Sequence, residues 1–358
     1  MKSDPTGVLS ALGWDDAWAA EARDRGADVV GRVSRVDRGV CTVVTTTGPM
    51  RASLGGELLD AVAHDATAAP STGDWVTLRQ WPDDRTTAEA VLSRRSSIVR
   101  ADPAPDSKGQ VLASNLTHAG IVAGLDQVPS MTKLERMLAV AWQSGAAPLV
   151  LLTKSDIAAD AADVAGDVAS AAPGVDVLTC SSVTGDGLDD LRGLLGAGTT
   201  LALLGSSGAG KSSLVNALVG ADVLTTKQIR DDGRGRHTSV RRELVLLPDG
   251  GGAVIDTPGL RGVGLFDADE GLAATFADIE ELATQCRFSD CRHESEPDCA
   301  VLAAIDAGTL PARRLESWRK LLREQAWMAA RKDARLRAEQ VKVWKQRTKA
   351  SRSAAKRR

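Results

Sequence analysis

The feature that most constrains the fold is a glycine-rich loop between an apolar strand and a helix. The segment Gly205–Ser212 has the sequence GSSGAGKS, which fits the pattern GxxxxGK[ST]. The apolar run TLALL precedes it, and SLVNALVG follows with the pattern of a helix. In such a loop the backbone N–H groups turn inward around phosphates, and the helix N-terminus adds partial positive charge. The sequence therefore predicts a parallel sheet that binds a phosphate-containing ligand at the strand C-termini.

The glycine-rich loop itself supplies the first candidate ligand contacts. Lys211 is expected to reach the β- and γ-phosphates of a nucleotide, and the Ser212 hydroxyl to ligate Mg²⁺. A chance glycine turn is the alternative, but the flanking strand and helix argue against it. The candidate phosphate-binding residues are Gly205, Ser206, Ser207, Gly208, Ala209, Gly210, Lys211, Ser212 and Ser213.

Two downstream segments complete the phosphate half of the predicted site. Asp256 and Gly259 belong to DTPG, which follows the apolar strand AVI. Asp256 is predicted to hold Mg²⁺ through water, and the Gly259 N–H to contact the γ-phosphate. Upstream of DTPG lies GRGRHT, in which Thr238 is the candidate second hydroxyl ligand of Mg²⁺. The alternatives are an ordinary turn for DTPG and a solvated hairpin tip for GRGRHT.

The predicted base-binding half lies upstream of the glycine-rich loop. Thr153, Lys154 and Asp156 belong to TKSD, which has the [NT]KxD form in which the aspartate binds both guanine N–H groups. Ser181 and Ser182 follow the next strand and are expected to approach the guanine carbonyl through backbone N–H groups. In isolation TKSD also fits a helix N-cap. Both base-binding segments normally follow the phosphate loop, so their order here predicts a circular permutation.

Hydrophobic patterning predicts a multidomain chain. After residue 27, about five short strand-like runs favour a small all-β barrel, with an OB-fold as the leading candidate; a β-domain with no nucleic-acid role is the alternative. From about Asn115, apolar strands alternate with helices, which predicts a parallel sheet covered on both faces. The predicted units are a helical lead-in (1–26), an OB-fold (27–98), a permuted α/β P-loop GTPase domain (99–270), a mainly α metal-binding domain (271–330) and a basic tail (331–358).

Three cysteines and one histidine crowd together after DTPG. Cys286, Cys291, His293 and Cys299 provide three thiolates and an imidazole, which complete a tetrahedral zinc site and leave no open position for catalysis. In a chain of this size without a secretory signal, such crowding favours metal over disulfides. The alternative is a set of reduced thiols near a surface histidine. We therefore predict one structural zinc ion.

The charge of the chain is unevenly distributed. Residues 331–358 contain 12 Lys or Arg against two acidic residues, although the formal net charge of the whole chain is −3. A basic tail on an acidic body predicts a polyanionic partner, nucleic acid first, and a solvated disordered tail is the alternative. The N-terminus does not resemble a secretory signal, and no run approaches the roughly 18 apolar residues of a membrane span. We expect a cytoplasmic monomer with no membrane partner.

Taken together, these motifs resemble those of the RsgA (YjeQ) family of circularly permuted bacterial GTPases. The resemblance includes TKSD, GSSGAGKSS, GRGRHTS, IDTPGLRGVGL and, most specifically, FADIEELATQCRFSDCRHESEPDCAV. It implies an OB-fold, a permuted GTPase domain and a zinc domain, with GTP, Mg²⁺ and rRNA as ligands. It also implies a role in late maturation of the small ribosomal subunit. One departure is Thr153, where many members have Asn, so guanine preference is expected to depend on Asp156.

Hydrolysis is predicted to be slow without a partner. Leu260 occupies the position after DxxG at which Ras-like enzymes have the glutamine that orients the attacking water. His237, beside Thr238, is predicted to position that water when the ribosomal subunit orders the loop, and the family has the same His–Thr pair. The catalytic candidates are His237, Lys211 and Thr238; an rRNA contact is the alternative role for His237. For the whole protein, the alternatives are a GTPase acting on another RNA or on DNA, an ATPase, and a nucleotide-gated RNA-binding module on a different RNA, with incidental hydrolysis.

Overall fold

The N-terminal segment forms two short helices that pack on the first domain. The structure is a computed structural model and describes residues 7–100, 109–224, 242–257 and 268–332. The helices are α1 (Val8–Ala11) and α2 (Asp16–Asp24). The Asp15 carboxylate caps α2 by accepting from the backbone N–H groups of Ala17 and Trp18 at 3.1 and 3.2 Å. The buried Trp18 ring contacts the barrel that follows, which fixes the helices to it.

The next segment closes into a five-stranded barrel. Its elements are β1 (Val29–Asp37), β2 (Val40–Thr45), β3 (Gly48–Leu54), α3 (Gly56–His64), β4 (Trp75–Gln80) and β5 (Thr86–Val91). Side chains of β2 alternate between buried and partly exposed, as expected for a strand with one face on a core. Pairing runs β1–β2–β3–β5–β4 and returns to β1, with only β3 and β5 parallel. This closed barrel confirms the predicted OB-fold.

A hairpin then connects the barrel to the central sheet. It consists of β6 (Ser97–Arg100) and β7 (Gln110–Ser114), which pair antiparallel. At one side the Ser114 N–H donates to the Thr72 carbonyl of the barrel at 3.1 Å. At the other, the Ser97 N–H donates to the Ser144 carbonyl, at the end of the first helix of the next domain, at 2.9 Å. The hairpin therefore belongs to the junction between the two domains.

The central domain is a mainly parallel sheet with helices between its strands, as predicted. Its strands are β8 (His118–Gly124), β9 (Ala147–Thr153), β10 (Asp176–Thr179), β11 (Thr200–Gly205), β12 (Glu243–Leu246) and β13 (Ala253–Asp256). Its helices are α4 (Met131–Gln143), α5 (Ala161–Ala171), α6 (Leu188–Leu194) and α7 (Lys211–Val219). The four central strands are almost entirely apolar and buried, because helices cover both faces.

The strand order places the segments before and after the glycine-rich loop in a single sheet. The sheet runs β10–β9–β8–β11–β13–β12, and only β12 is antiparallel to its neighbour. The strand before the glycine-rich loop, β11, lies in the middle. The strands that precede it in the chain lie on one side, and the strands that follow it lie on the other. One sheet therefore holds both halves of the predicted site.

The barrel and the central sheet are joined by a strand pair and by a buried arginine. Strand β12 pairs with β1 at Arg35 and Glu243, so the five barrel strands and the six central strands form one eleven-stranded sheet. The Arg32 side chain on β1 is 1% exposed and donates to the carbonyls of Leu12, Gly73 (3.0 Å) and Asn115 (2.7 Å) and to the Thr200 hydroxyl (2.8 Å). Because Thr200 begins β11, this guanidinium ties the barrel to the strand that leads into the glycine-rich loop.

The C-terminal region is helical and packs on the helices beside β9. Its elements are α8 (Asp269–Thr275), α9 (Ala277–Ala283), α10 (Ala300–Asp306) and α11 (Ala312–Lys332). Helix α8 approaches α4 so closely that a Cβ on Gly271 would lie 2.1 Å from the Ala139 carbonyl oxygen. The proposed domain boundaries at residues 98 and 270 fall inside β6 and α8. Among the described helices, none has the length and apolar content needed to cross a bilayer.

A second buried arginine fixes this region to the central domain. The Arg314 side chain, 1% exposed, donates to the Glu135 carboxylate of α4 at 3.1 Å and to both carboxylate oxygens of Asp278. It also donates to the carbonyls of Ala171 at 2.8 Å and Thr275 at 2.7 Å. The guanidinium of α11 therefore binds acceptors on four other helices, α4, α5, α8 and α9.

Candidate nucleotide site

The candidate site lies where the parallel strands end. The loops after β8, β9, β10, β11 and β13 meet at one edge of the sheet, because the strands are parallel. TKSD begins at the end of β9, Ser181 and Ser182 follow β10, the glycine-rich loop follows β11, and Asp256 ends β13. The fold thus gathers segments that are up to about a hundred residues apart in the chain.

The glycine-rich loop wraps around the Lys211 ammonium group. Lys211 is buried at the start of α7, and its Nζ donates to the carbonyls of Gly205 at 3.0 Å and Ser206 at 2.9 Å. Burial lowers the pKa of Lys211, and the nearby Asp256 carboxylate opposes that effect. Ser206, Ser207 and Gly208, between these anchors, are exposed. Among the described residues this ammonium group donates to two backbone carbonyls and to no carboxylate, and below an exposed loop such a cation is suited to an anionic ligand.

Ser212 and Asp256 meet beside this ammonium group. The Ser212 hydroxyl donates to Asp256 Oδ2 at 2.6 Å, whereas Asp256 Oδ1 is buried and has no hydrogen-bond partner among the described residues. Burial raises the pKa of the Asp256 carboxyl, and the Ser212 hydrogen bond and the Lys211 charge oppose it. An unpartnered carboxylate oxygen beside a hydroxyl is a donor set that fits a hard divalent cation such as Mg²⁺.

Thr153 joins the two halves of the site. Its buried hydroxyl donates to the Ala209 carbonyl of the glycine-rich loop at 2.6 Å. Gly210, with φ +90°, passes over the same side chain, and a Cβ there would lie 3.1 Å from Thr153 Oγ1. An Asn at this position could both contact the base and tie the two loops together. The tie between the loops is in fact present with Thr.

Asp156 is oriented by the loop after β10. The Ser181 hydroxyl donates to Asp156 Oδ1 at 2.6 Å and accepts from the backbone N–H groups of Val183 and Thr184, both at 3.1 Å. Ser181 is fully buried, whereas Asp156 is exposed. One carboxylate oxygen is therefore held by the protein, and the exposure of the side chain leaves the carboxylate accessible to a ligand.

Lys154 is held by an acid that the motif does not contain. It has φ +62°, an uncommon value for a residue with a side chain, and its Nζ lies 2.7 Å from Asp126 Oδ2. Asp126 follows β8, so the parallel-strand argument could have placed it at this edge from the sequence. Ser182, half-buried, directly follows the buried Ser181. His237, Thr238, Gly259 and Leu260 lie outside the described residues.

A separate cluster in the C-terminal region fits a metal ion. The candidate ligand atoms of Cys286, Cys291, His293 and Cys299 all lie within 4.8 Å of one another. His293 Nδ1 is 3.3 Å from Cys299 Sγ and 3.6 Å from Cys286 Sγ. Burial and, to a smaller extent, the Arg319 charge lower the pKa of His293, which favours the neutral imidazole that ligates metals. The cluster could hold one metal ion between α9 and α10.

Comparisons with known proteins agree with this architecture. A family model described as RsgA GTPase matches residues 91–266. The small ribosomal subunit biogenesis GTPase RsgA of Streptomyces coelicolor is 50% identical over 346 residues, which cover 95% of this chain and 93% of the relative. The protein of the same description from Streptomyces avermitilis is 49% identical, covering 94% of this chain and 91% of the relative.

Two solved structures have a similar fold. The crystal structure of YjeQ from Thermotoga maritima gives a TM-score of 0.61 at 24% identity, covering 83% of this chain and 98% of that one. That of YloQ, described as a circularly permuted GTPase, gives 0.58 at 23% identity, covering 82% and 94%. At these identities the likeness concerns the fold alone.

Proposed function

The chain belongs to the RsgA GTPase family, and from that premise we propose that it hydrolyses GTP under stimulation by the small ribosomal subunit during late maturation of that subunit. Hydrolysis to GDP and phosphate would drive its release. The observation that supports a guanine-nucleotide site most directly is the 2.6 Å hydrogen bond between Thr153 and the Ala209 carbonyl. It joins the segment proposed to bind the base to the segment proposed to bind the phosphates.

The phosphate half of the site binds and neutralises the triphosphate in this proposal. Lys211 exchanges its two carbonyl acceptors for β- and γ-phosphate oxygens, which carry full charge and accept more strongly. Mg²⁺, when bound, neutralises charge that develops on the phosphate oxygens. Ser212, Asp256 and Thr238 are the proposed residues that hold it, and the buried, unpartnered Asp256 Oδ1 supports Asp256 in that role. The Gly259 N–H is proposed to contact the γ-phosphate.

The other half selects guanine. Asp156 is proposed to accept hydrogen bonds from both guanine N–H groups, with Ser181 holding its carboxylate in position. Ser182 and the backbone around it are proposed to face the guanine carbonyl. Lys154 is proposed to lie beside the base, and the hydrogen bond of Thr153 to Ala209 holds the base-binding segment next to the glycine-rich loop. Asp156→Asn should exchange this preference for xanthine, because an amide can donate to the C2 carbonyl that guanine lacks.

The water that attacks the γ-phosphate is proposed to be positioned by His237. The support is the sequence: Leu260 cannot orient water, and His237 adjoins the proposed Mg²⁺ ligand Thr238. A group brought into place by a partner can accelerate GTP hydrolysis by on the order of 10³–10⁵. This gives the ribosomal subunit a defined role in the chemistry.

The remaining proposals concern the metal ion and the surroundings. We assign zinc to the Cys286–Cys299 cluster, since three thiolates and one imidazole form a closed tetrahedral site with a structural role. The basic residues of 331–358, with the barrel, are proposed to bind rRNA through its phosphates. The protein is proposed to act as a monomer in the cytoplasm. The proposed domains are residues 1–26, 27–98, 99–270, 271–330 and 331–358.

The test is GTP turnover titrated with purified small ribosomal subunits. The wild type should be slow alone and strongly stimulated by subunits, Lys211→Ala should lose nucleotide binding, and His237→Ala should bind GTP but lose stimulation. Equal stimulation of His237→Ala and wild type would exclude His237 from the reaction. Competition of ATP against labelled GDP tests the ATPase alternative. Normal subunit maturation with Lys211→Ala would favour the nucleotide-gated binding module, and absent co-sedimentation with subunits would indicate another RNA.

A further inference from the structure

We propose that Arg100 and Arg242 together form a binding site for a phosphate group of an RNA backbone. The proposal rests on the RNA partner of the proposed function and assigns it a specific contact outside the nucleotide site. Arg100 ends β6 of the junction hairpin, and Arg242 directly precedes β12. The two guanidinium groups thus come from the two segments that flank the boundary between the barrel and the central sheet.

The Arg100 and Arg242 side chains are half-buried, and their guanidinium groups have few acceptors among the described residues. The Nε atoms of Arg100 and Arg242 are buried and have no hydrogen-bond partner among the residues that the structure describes. Arg100 donates once, from Nη2 to the neutral amide oxygen of Gln110 at 3.1 Å. The described residues provide no hydrogen bond or salt bridge for Arg242. Burying a cation without an acceptor is costly, so this arrangement suggests an external anion.

The two cations also act on each other. Burial lowers the pKa of Arg242, and the charge of Arg100 lowers it further. Glu243, which follows Arg242 in the chain, acts on Arg35 of the neighbouring strand, where Asp37 and, to a smaller extent, Glu243 raise the pKa of Arg35. In the described part of the chain, no carboxylate therefore forms an ion pair with this arginine pair. One negative group between them would relieve both the repulsion and the missing hydrogen bonds.

Other arginines of the described chain use their donors within the protein. Even Arg136 and Arg319, whose Nε atoms are also buried and unpartnered, donate through Nη2 to the Glu324 carboxylate and to backbone carbonyls respectively. Arg32 has four acceptors, Arg94 binds the buried Asp74 carboxylate at 2.7 Å, and Arg314 binds two carboxylates and two carbonyls. These three hold structural elements together. The Arg100–Arg242 pair has the same planar donors, but apart from the bond from Arg100 to Gln110 it has no hydrogen-bond acceptor among the described residues.

A phosphodiester is the anion that best matches the pair. It has one negative charge and two free oxygens, and arginine forks bind such oxygens in a bidentate manner. Arg100 and Arg242 are both partly exposed, so an anion in solution can reach them. Glu243 pairs in register with Asp256, so a phosphate at Arg242 would lie on the strand next to the proposed Mg²⁺ ligand.

The test uses the full-length variants Arg100→Gln, Arg242→Gln and the double variant. Arg192→Gln is the matched control, since it removes one positive charge from an exposed pair on α6. Affinity for purified small subunits is measured at several salt concentrations. The double variant should bind about tenfold more weakly and reduce the slope of log K against log salt by about 0.7–0.9, the loss of one phosphate contact. Arg192→Gln should keep the wild-type slope, and GTP affinity should be unchanged throughout.

A second measurement separates an RNA phosphate from free phosphate and from misfolding. Thermal unfolding of wild type and double variant is followed with and without inorganic phosphate, at constant ionic strength. The double variant should be at least as stable as wild type, because it loses an unpaired, repelling charge pair. An unchanged salt slope in a folded double variant would overturn the proposal. The proposal would also be overturned if inorganic phosphate stabilised only the wild type while both proteins bound RNA equally. That result would indicate a site for small anions. If wild type itself does not bind subunits, the proposed function fails. The arginine site is then overturned as well if inorganic phosphate shifts the unfolding temperature of wild type and double variant equally.

Discussion

Replacing Arg314 by leucine should detach the C-terminal helices from the central domain. The substitution removes the cation that lies between Glu135 and Asp278, and Glu135 is 0% exposed with one oxygen already unpartnered. Removing one partner of a buried ion pair costs about 3–5 kcal/mol. The exposed Arg313, 3.4 Å from Glu135, compensates only part of the charge that the substitution leaves behind. The carbonyls of Ala171 and Thr275 lose their donors in the same step.

The neighbouring residue provides the matched control. Arg313 lies 3.4 Å from the same Glu135 oxygen but is 42% exposed, so Arg313→Leu should cost only about 0–1 kcal/mol. The assay is hydrogen exchange of the α11 amides, which reports local opening even when unfolding of the whole chain is not two-state. Urea denaturation provides the global value. Equal effects of the two substitutions would refute the reasoning, since burial would then not decide the cost.

Two further results are expected from the same pair. Glu135→Gln in the Arg314→Leu background should restore part of the lost stability, because it removes the stranded charge. Burial already raises the pKa of Glu135. A carboxyl whose folded pKa lies above its unfolded value binds protons more readily in the folded state, so stability falls as pH rises through that pKa. The deficit of Arg314→Leu should therefore be larger at neutral pH than at acidic pH.

Three other predictions concern the two candidate sites and the buried thiols. Thr153→Val should weaken GTP binding by about 1–3 kcal/mol, because the Ala209 carbonyl loses its donor, whereas Thr153→Ser should bind nearly as wild type in a fluorescent-nucleotide titration. Elemental analysis should find one zinc per chain and none in Cys286→Ala, and chelation should increase hydrogen exchange in α10; unchanged exchange would contradict a structural metal. Burial raises the pKa of Cys41 and Cys180 to about 11, so the free energy of unfolding should fall as pH rises from about 9 to about 11, and the Cys41→Ala/Cys180→Ala variant should lack this fall.

Much of the fold can be predicted from local sequence patterns. The five barrel strands, the alternating strands and helices, and the hairpin of β12 and β13 all have the apolar spacing or turn residues that their geometry requires. Helix α3 is not predicted, since its nine residues lie among strand-like runs and fall below the length at which periodicity is informative. The β6–β7 hairpin is missed because SIVR and QVLAS are short and separated by nine residues.

The candidate site is predictable as a set of motifs but not as a set of contacts. The positions of Lys211, Ser212 and Asp256 follow from their motifs and from the parallel sheet. The role of Thr153 does not, because its hydrogen bond crosses from one motif to another and depends on how closely two loops approach. The same limit applies to Arg32 and Arg314. Their partners are up to 168 and 179 residues away in the chain, and no local pattern indicates a buried arginine.

These two arginines decide how a change at the nucleotide would spread. Arg32 fastens the barrel to β11, on the phosphate side, and Arg314 fastens the C-terminal helices to α4 and α5, which flank the base side. The barrel and the C-terminal helices are thus attached to different halves of the candidate nucleotide site. A change in the distance between the two halves on nucleotide binding would therefore move the barrel relative to the C-terminal helices.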